Sequence, residues 1–362
     1  MAVIEEVEWE ECCIEPGRNP ELERYLRSKI GIVPAAAGYF AECPWIARSI
    51  AAFWFPRGKL THIDVDICDK ICLVVSHENS CRYCFAASRL LMRMVGVPES
   101  RIRRLEEDLL TADLDPREQV VLEFARRLSR SNPLLASADV DPVRDAGYSA
   151  SAIKEMALVA AYMCAMNRFS TLPALPPQRL ERLPDRPLVR LLRPFVGRLM
   201  RWRQFKGAPD FLEPELEMGP FSYLVLALKG LPLSRSLHQI VNEAWQSPLL
   251  SRRVKGLVVA VIARGLGCSL SEQEASRLLA EEGLGANDLQ EILAHLASPQ
   301  LDPAERVIVP FARETIWYRP APIQRRVRAV REVLSGPQFL ELIGVVSLAN
   351  MLCRLDIAVD LA

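Results

Sequence analysis

The chain has no surplus of charge of either sign: 45 lysines and arginines stand against 45 aspartates and glutamates. A balanced total gives no global reason to bind nucleic acid or an anionic membrane, so neither is expected as a partner. No uninterrupted apolar run reaches the roughly 18 residues that cross a bilayer, and no transmembrane segment is expected. The first residues, "MAVIEEVEWEECC", are acidic and lack the basic flank and apolar stretch of a secretory leader. Strand-like alternation between turn residues is scarce. The stretch from Leu60 to Asp69 is the one candidate, and it runs into a helical pattern.

Cysteine is present but too sparse for a disulfide scaffold, with ten in 362 residues. Most of these thiols lie in apolar, helix-like stretches, where Cys behaves as a small hydrophobe. A reducing cytoplasm is the expected compartment. There, a CxxC pair is more often catalytic or metal-binding than structural.

What the chain does have is internal repetition. "ASRLL" occurs at Ala87–Leu91 and again at Ala275–Leu279, 188 residues on. "LDPRE" at Leu114–Glu118 is answered by "LDPAE" at Leu301–Glu305, and "FARR" at Phe124–Arg127 by "FARE" at Phe311–Glu314, both 187 residues on. A single insertion accounts for the drift. Two copies of one unit are therefore expected, over 20–172 and 213–362, after an N-terminal extension over 1–19. Between them, residues 173–212 carry repeated prolines that forbid one long helix. Arginines such as Arg190, Arg193 and Arg201 alternate there with apolar residues. A linker lying along both copies is the plain reading; a docking arm for an acidic partner or membrane surface is the sharper one.

Each copy reads as helices. Asp115-Pro116 with Glu118 is a helix start, followed by an apolar stripe through Val121, Phe124, Ala125 and Leu128. Asp302-Pro303 repeats that signal. Ser149 caps a segment that is apolar nearly all round, so it belongs in the core. The expected fold is all-α, with two tandem helical domains forming a pseudo-dimer.

"HENSCRYCFAASRLL" places Cys81 and Cys84 three residues apart. With Ser80 as N-cap, both thiols would sit in the first turn of a helix, where the partial positive charge favours a thiolate. Arg82 and Arg89 add positive charge. A thiolate attacks peroxides and disulfides, and a neighbouring thiol resolves the product. Two other readings compete: ordinary buried thiols, or zinc held among Cys68, Cys72, His77, Cys81 and Cys84. No second CxxC completes a zinc knuckle, and no metal or cofactor is expected.

"DKICLVVSHENSCRYCFAASRLL" resembles the core of the AhpD-like family, the alkylhydroperoxidase D and carboxymuconolactone decarboxylase group. "GIVP" at Gly31 and "MNRFSTLPAL" from Met166 are similar to further landmarks. The resemblance implies an all-helical fold and assembly into homo-oligomers. For the redox branch it implies peroxidase or disulfide reductase activity, with a small hydroperoxide or disulfide as substrate and a thiol or lipoylated protein as electron donor. Cys84 would attack and Cys81 resolve. Asp69 stands twelve before Cys81, where the family carries Glu, and Ser88 stands four after Cys84, where it carries His. A hydroxyl passes a hydrogen bond but is no base near neutral pH, so the relay lacks its centre. His77, four before Cys81, is the substitute candidate, and Glu78 a weaker one. In the second copy Cys268 matches Cys81, while Ser271, Gly256 and Arg264 replace Cys84, Asp69 and His77. With no CxxC, that copy reads as a structural partner surface, a layout similar to sestrins. The alternatives are a non-enzymatic redox-sensing or interaction protein, and a cofactor-free decarboxylase-like enzyme; the retained CxxC speaks against the latter.

Overall fold

The computed structural model describes residue 4 and residues 6–54, 60–107, 114–177 and 219–362. Most of the expected linker, 178–212, lies outside the described residues. The first half holds α1 (Pro20–Ile30), α2 (Ala35–Tyr39), α3 (Pro44–Trp54), α4 (Val65–Glu78), α5 (Arg82–Val95), α6 (Glu99–Glu107), α7 (Pro116–Arg130), α8 (Ser137–Asp145) and α9 (Ala150–Thr171). The second holds α10 (Ser222–Ala227), α11 (Leu233–Gln246), α12 (Arg252–Leu266), α13 (Ser269–Glu281), α14 (Ala286–His295), α15 (Glu305–Glu314), α16 (Pro320–Arg331) and α17 (Gly336–Leu361). No strand occurs among the described residues, so the fold is all-α.

Capping chemistry sets the boundaries. Asp115 caps α7 by accepting the Arg117 N–H at 2.8 Å, with Pro116 at the first position. Ser149 caps α9 through the Ala152 N–H. The repeated Asp-Pro signal behaves differently. Asp302 and Glu305 cap each other's backbone N–H at 2.7 and 3.0 Å, and α15 begins only at Glu305, after a turn. The strand candidate is not a strand. Residues 61–64 form a bent loop, and Asp64 caps α4 through the Ile67 N–H at 2.8 Å. Ile67 and Ile71 then bury at helical spacing.

Two long helices, α9 and α17, are buried almost all round and pack on each other. α4, α5 and α7 cover α9, while α12 and α13 cover α17. By length and composition α17 could cross a membrane, which counting uninterrupted apolar runs did not anticipate, because Glu341, Asn350 and Arg354 interrupt it. Here 89% of its apolar window is buried inside the protein. The N-terminal extension runs along α16. Its Glu10 backbone N–H donates to Gln324 at 2.8 Å, and its carboxylate pairs with Arg325 at 2.9 Å.

The loop leading into α4 is held from the core. Glu155 of α9, fully buried, accepts the backbone N–H groups of Thr61, His62 and Ile63 at 2.9, 2.7 and 2.9 Å. Removing that carboxylate leaves three donors without a partner. Glu155→Ala is therefore expected to lower the free energy of unfolding by about 2–4 kcal/mol. Urea denaturation reads the change, and a midpoint equal to that of the wild type would refute this role.

Candidate redox site

The turn between α4 and α5 shapes the site. Asn79 closes α4, its side-chain amide donating to Val75 O at 2.9 Å. Ser80 takes the left-handed conformation, φ 51°. The chain then re-enters a helix with Cys81, not Ser80, as N-cap, and the capping atom is sulfur: Cys81 Sγ accepts the Cys84 N–H at 3.4 Å. The cap moves one residue because Ser80 is spent on reversing the chain, and an N-cap needs extended backbone. Cys81 supplies that, at φ −87° and ψ 97°.

Cys81 and Cys84 are free thiols and fully buried. Cys84 Sγ lies 3.5 Å from the Ser170 hydroxyl of α9. The two sulfurs share a hydrogen bond and differ in electrostatics. Burial works against charge on Cys81. Even so, hydrogen bonds from the Cys84 thiol, the Thr171 side chain and the N–H groups of Cys84 and Tyr83 together bring its pKa below the ordinary thiol value. Cys84 is held well above that value, first by burial and then by the hydrogen bond and charge of Cys81. Of the two, Cys81 is therefore the thiol that ionises first. The resemblance casts Cys84 as the attacking sulfur, so the more acidic thiol is the other member.

The remaining candidates divide into two places. Asp69 and Ser88, both buried, line one apolar cavity of about 50 Å³ together with Cys68, Cys72 and Tyr162. That volume holds a few waters or one small group. Leu233, from the second half, completes its wall. The sulfurs of the CxxC pair are not among the lining groups; Ser88 is the link, one helical turn beyond Cys84. His77 lies apart. Its ring packs on Phe85 at 5.5 Å, and no hydrogen bond or ion pair joins it to either thiol among the described residues. Burial lowers its pKa, with Glu78 opposing, so it is neutral at physiological pH. Glu78 itself is paired with Arg126 and Arg130. Lys70 pairs with Asp66 and Glu118, each at 2.6 Å.

The expected cationic surroundings are also redirected. Arg82 donates to backbone carbonyls of the N-terminal extension, and Arg89 pairs with Glu99 and Glu106. The low charge cost at Cys81 therefore comes from hydrogen bonds and the helix start rather than from arginines. Cys68 and Cys72 face the cavity while Cys81 and Cys84 do not. Among the described residues no three His, Cys, Asp or Glu side chains converge to hold a metal ion.

Sequence reasoning missed the second wall of the pair. Ser170 and Thr171 lie inside the "MNRFSTLPAL" landmark but carry no catalytic signal of their own. Tyr318, from the second half, has a phenol near enough to feel the Cys81 charge, and its ring lies under Arg168 at 5.3 Å. The Thr171 side chain is close enough to both groups to act on the Cys81 thiol and on the Tyr318 phenol, in each case toward a lower pKa.

No family model and no curated protein matches the chain. Among solved structures it is similar to a protein from Ralstonia eutropha JMP134 described as "alkylhydroperoxidase AhpD core: uncharacterized peroxidase-related protein". The identity is 21% and the TM-score 0.40, over 45% of this chain and 86% of that one. An uncharacterized peroxidase-related protein from Silicibacter sp. TM1040 is similar at 22% identity and TM-score 0.42, over 48% of this chain and 96% of that one. Likeness at this level, over less than half of the chain, leaves the activity to be argued from the site.

The order of ionisation is testable. Titrating thiolate absorbance in the wild type and in Cys81→Ser should give a difference curve whose midpoint lies below the 9.0 of an unperturbed thiol. The corresponding curve for Cys84→Ser should show Cys81 ionising at a different pH, because its hydrogen-bond donor is gone. A Cys81 midpoint at or above the unperturbed value in the wild type would refute the assignment.

Proposed function

We propose that this chain is a thiol-dependent peroxidase or disulfide reductase acting through Cys81 and Cys84. In this reading it is a duplicated AhpD-like protein. The copy over 20–172 carries the dithiol, and the copy over 213–362 supplies the partner surface of a pseudo-dimer. The observation that carries the reading is a pair of free, buried thiols at a helix start, the Cys84 N–H capped by the Cys81 sulfur, with the acidity of Cys81 raised and that of Cys84 lowered. A structural thiol pair has no need of that polarisation.

The chemistry follows from the shared proton. Cys84 passes its proton to Cys81, which thereby does what Ser88 cannot do as a base. The Cys84 thiolate attacks the distal oxygen of a hydroperoxide; an S–O bond forms, the O–O bond breaks, and the leaving alkoxide takes the proton from Cys81. The Cys81 thiolate then attacks the Cys84 sulfenic acid and releases hydroxide, which solvent protonates. Two electrons pass from the thiols to the peroxide, leaving an alcohol, water and a disulfide. An external thiol or a lipoyl dithiol restores the pair by exchange. Asp69 and Ser88 line the small apolar cavity beside this helix turn, which favours a compact substrate with a nonpolar end. Residence in a reducing cytoplasm and assembly with further copies of the chain belong to the same reading.

A second reading, a redox sensor without turnover, draws on one observation: neither sulfur is exposed and neither lines the cavity. Stopped-flow measurement of peroxide consumption by the reduced protein separates the two. Turnover is expected, with Cys84→Ser falling to background. Cys81→Ser should lose about 10²-fold or more, because both base and resolving thiol go. Wild-type protein that oxidises once and is not restored by any dithiol supports the sensor; unchanged consumption by Cys84→Ser refutes both.

A further inference from the structure

In the second half, Ser271 stands where CxxC would need its second sulfur, and the local sequence offers no dithiol. The fold supplies a partner from elsewhere. Cys268 is the N-cap of α13 with φ −87° and ψ 94°, within a few degrees of Cys81. Its sulfur projects over the helix start toward α17 and donates to Asp356 Oδ2 at 3.0 Å. Ser271 and Tyr223 donate to the same carboxylate oxygen, each at 2.7 Å. Cys353 precedes Asp356 by three residues on α17 and so shares its face, one turn earlier. It is fully buried, and its thiol is close enough to Cys268 to share a hydrogen bond. Tyr223 links this buried group to the outside, forming part of the wall of a surface cavity of about 620 Å³.

We propose that Cys268 and Cys353 form a second redox dithiol, which a hydroperoxide closes to a disulfide joining α13 to α17, with Asp356 as the proton acceptor. The thiol proton of Cys268 moves to Asp356. The thiolate attacks the peroxide, forming S–O and breaking O–O, and the alkoxide takes the proton back from Asp356. Cys353 then displaces the sulfenic oxygen as water, carrying its own proton with it. The sum is two thiols and a hydroperoxide giving a disulfide, an alcohol and water, with two electrons passed to the peroxide. The neighbouring Cys353 thiol and burial both hold Cys268 protonated. Closure is therefore slower than at Cys81 and Cys84, and the proton stays within the Cys268–Asp356 pair. The site is independent of the reading given for the first pair.

The test uses the full chain carrying Cys81→Ser and Cys84→Ser, so that failure of the first site leaves this one measurable. The reduced protein is exposed to hydrogen peroxide at neutral and at alkaline pH, alkylated, digested and mapped by mass spectrometry; the wild type is mapped in parallel. The expected product is a peptide pair linked through Cys268 and Cys353, formed at both pH values and more slowly than the Cys81–Cys84 disulfide of the wild type. Cys353→Ser should abolish it, and Asp356→Asn should slow it several-fold. Circular dichroism checks that each variant folds, and the wild-type map stands even where one does not. Recovery of Cys268 and Cys353 as alkylated thiols after oxidation, in both backgrounds, overturns the proposal, as does a linkage to any other cysteine in their place.

Discussion

Two arginines buried where α9 crosses α17 constrain everything around them. Arg168 donates to the carbonyls of Thr315 and Ile316 at 3.0 Å, and Arg354 donates to the same Ile316 carbonyl at 3.1 Å. Both are almost wholly buried, and neither has a carboxylate partner among the described residues. Burial first, and the Arg168 charge second, work against the charge on Arg354, yet an arginine does not give up its proton in a protein. Two like charges can stay there only because carbonyls are aimed at them from both sides. The segment carrying Thr315, Ile316 and Tyr318 is therefore locked to α9, next to the turn of α9 that holds Ser170 and Thr171 against the thiols.

That arrangement gives the CxxC pair a wall belonging to the other half of the chain. Ionisation of Cys81 in the core is favoured by groups close to its sulfur. Backbone N–H groups at the start of α5 and the Cys84 thiol, already fixed by the α4–α5 turn, act to lower its pKa. The cavity with Asp69 and Ser88 lies on the other approach to the same helix, closed by Leu233. Both approaches thus depend on contacts between the halves. In the second half Cys268 takes nearly the same backbone angles as Cys81, and there Asp356 collects three donors, from Cys268, Ser271 and Tyr223.

Much of this was legible from the residues. The all-α fold, the caps at Asp115 and Ser149 and the buried character of α9 all follow from local rules, because capping and helical periodicity act within a few residues. The place of Cys81 and Cys84 at a helix start was legible to within one residue; only the left-handed turn at Ser80 decided which residue caps. His77 looked like a relay because it is near in sequence. In space its ring is turned to Phe85, since a residue at the end of one helix does not share a face with the start of the next when a sharp turn separates them.

The helices, the two-thiol segment and the absence of a histidine at position 88 are written in the residues themselves, because each is a matter of residue type and short spacing. What those thiols feel comes from packing. Burial, the Ser170 and Thr171 contacts, Tyr318 under Arg168, and the meeting of Cys268 with Asp356 all join residues far apart in the chain. Electrostatic and hydrogen-bond energies depend on distance in space, and separation along the chain carries no record of it.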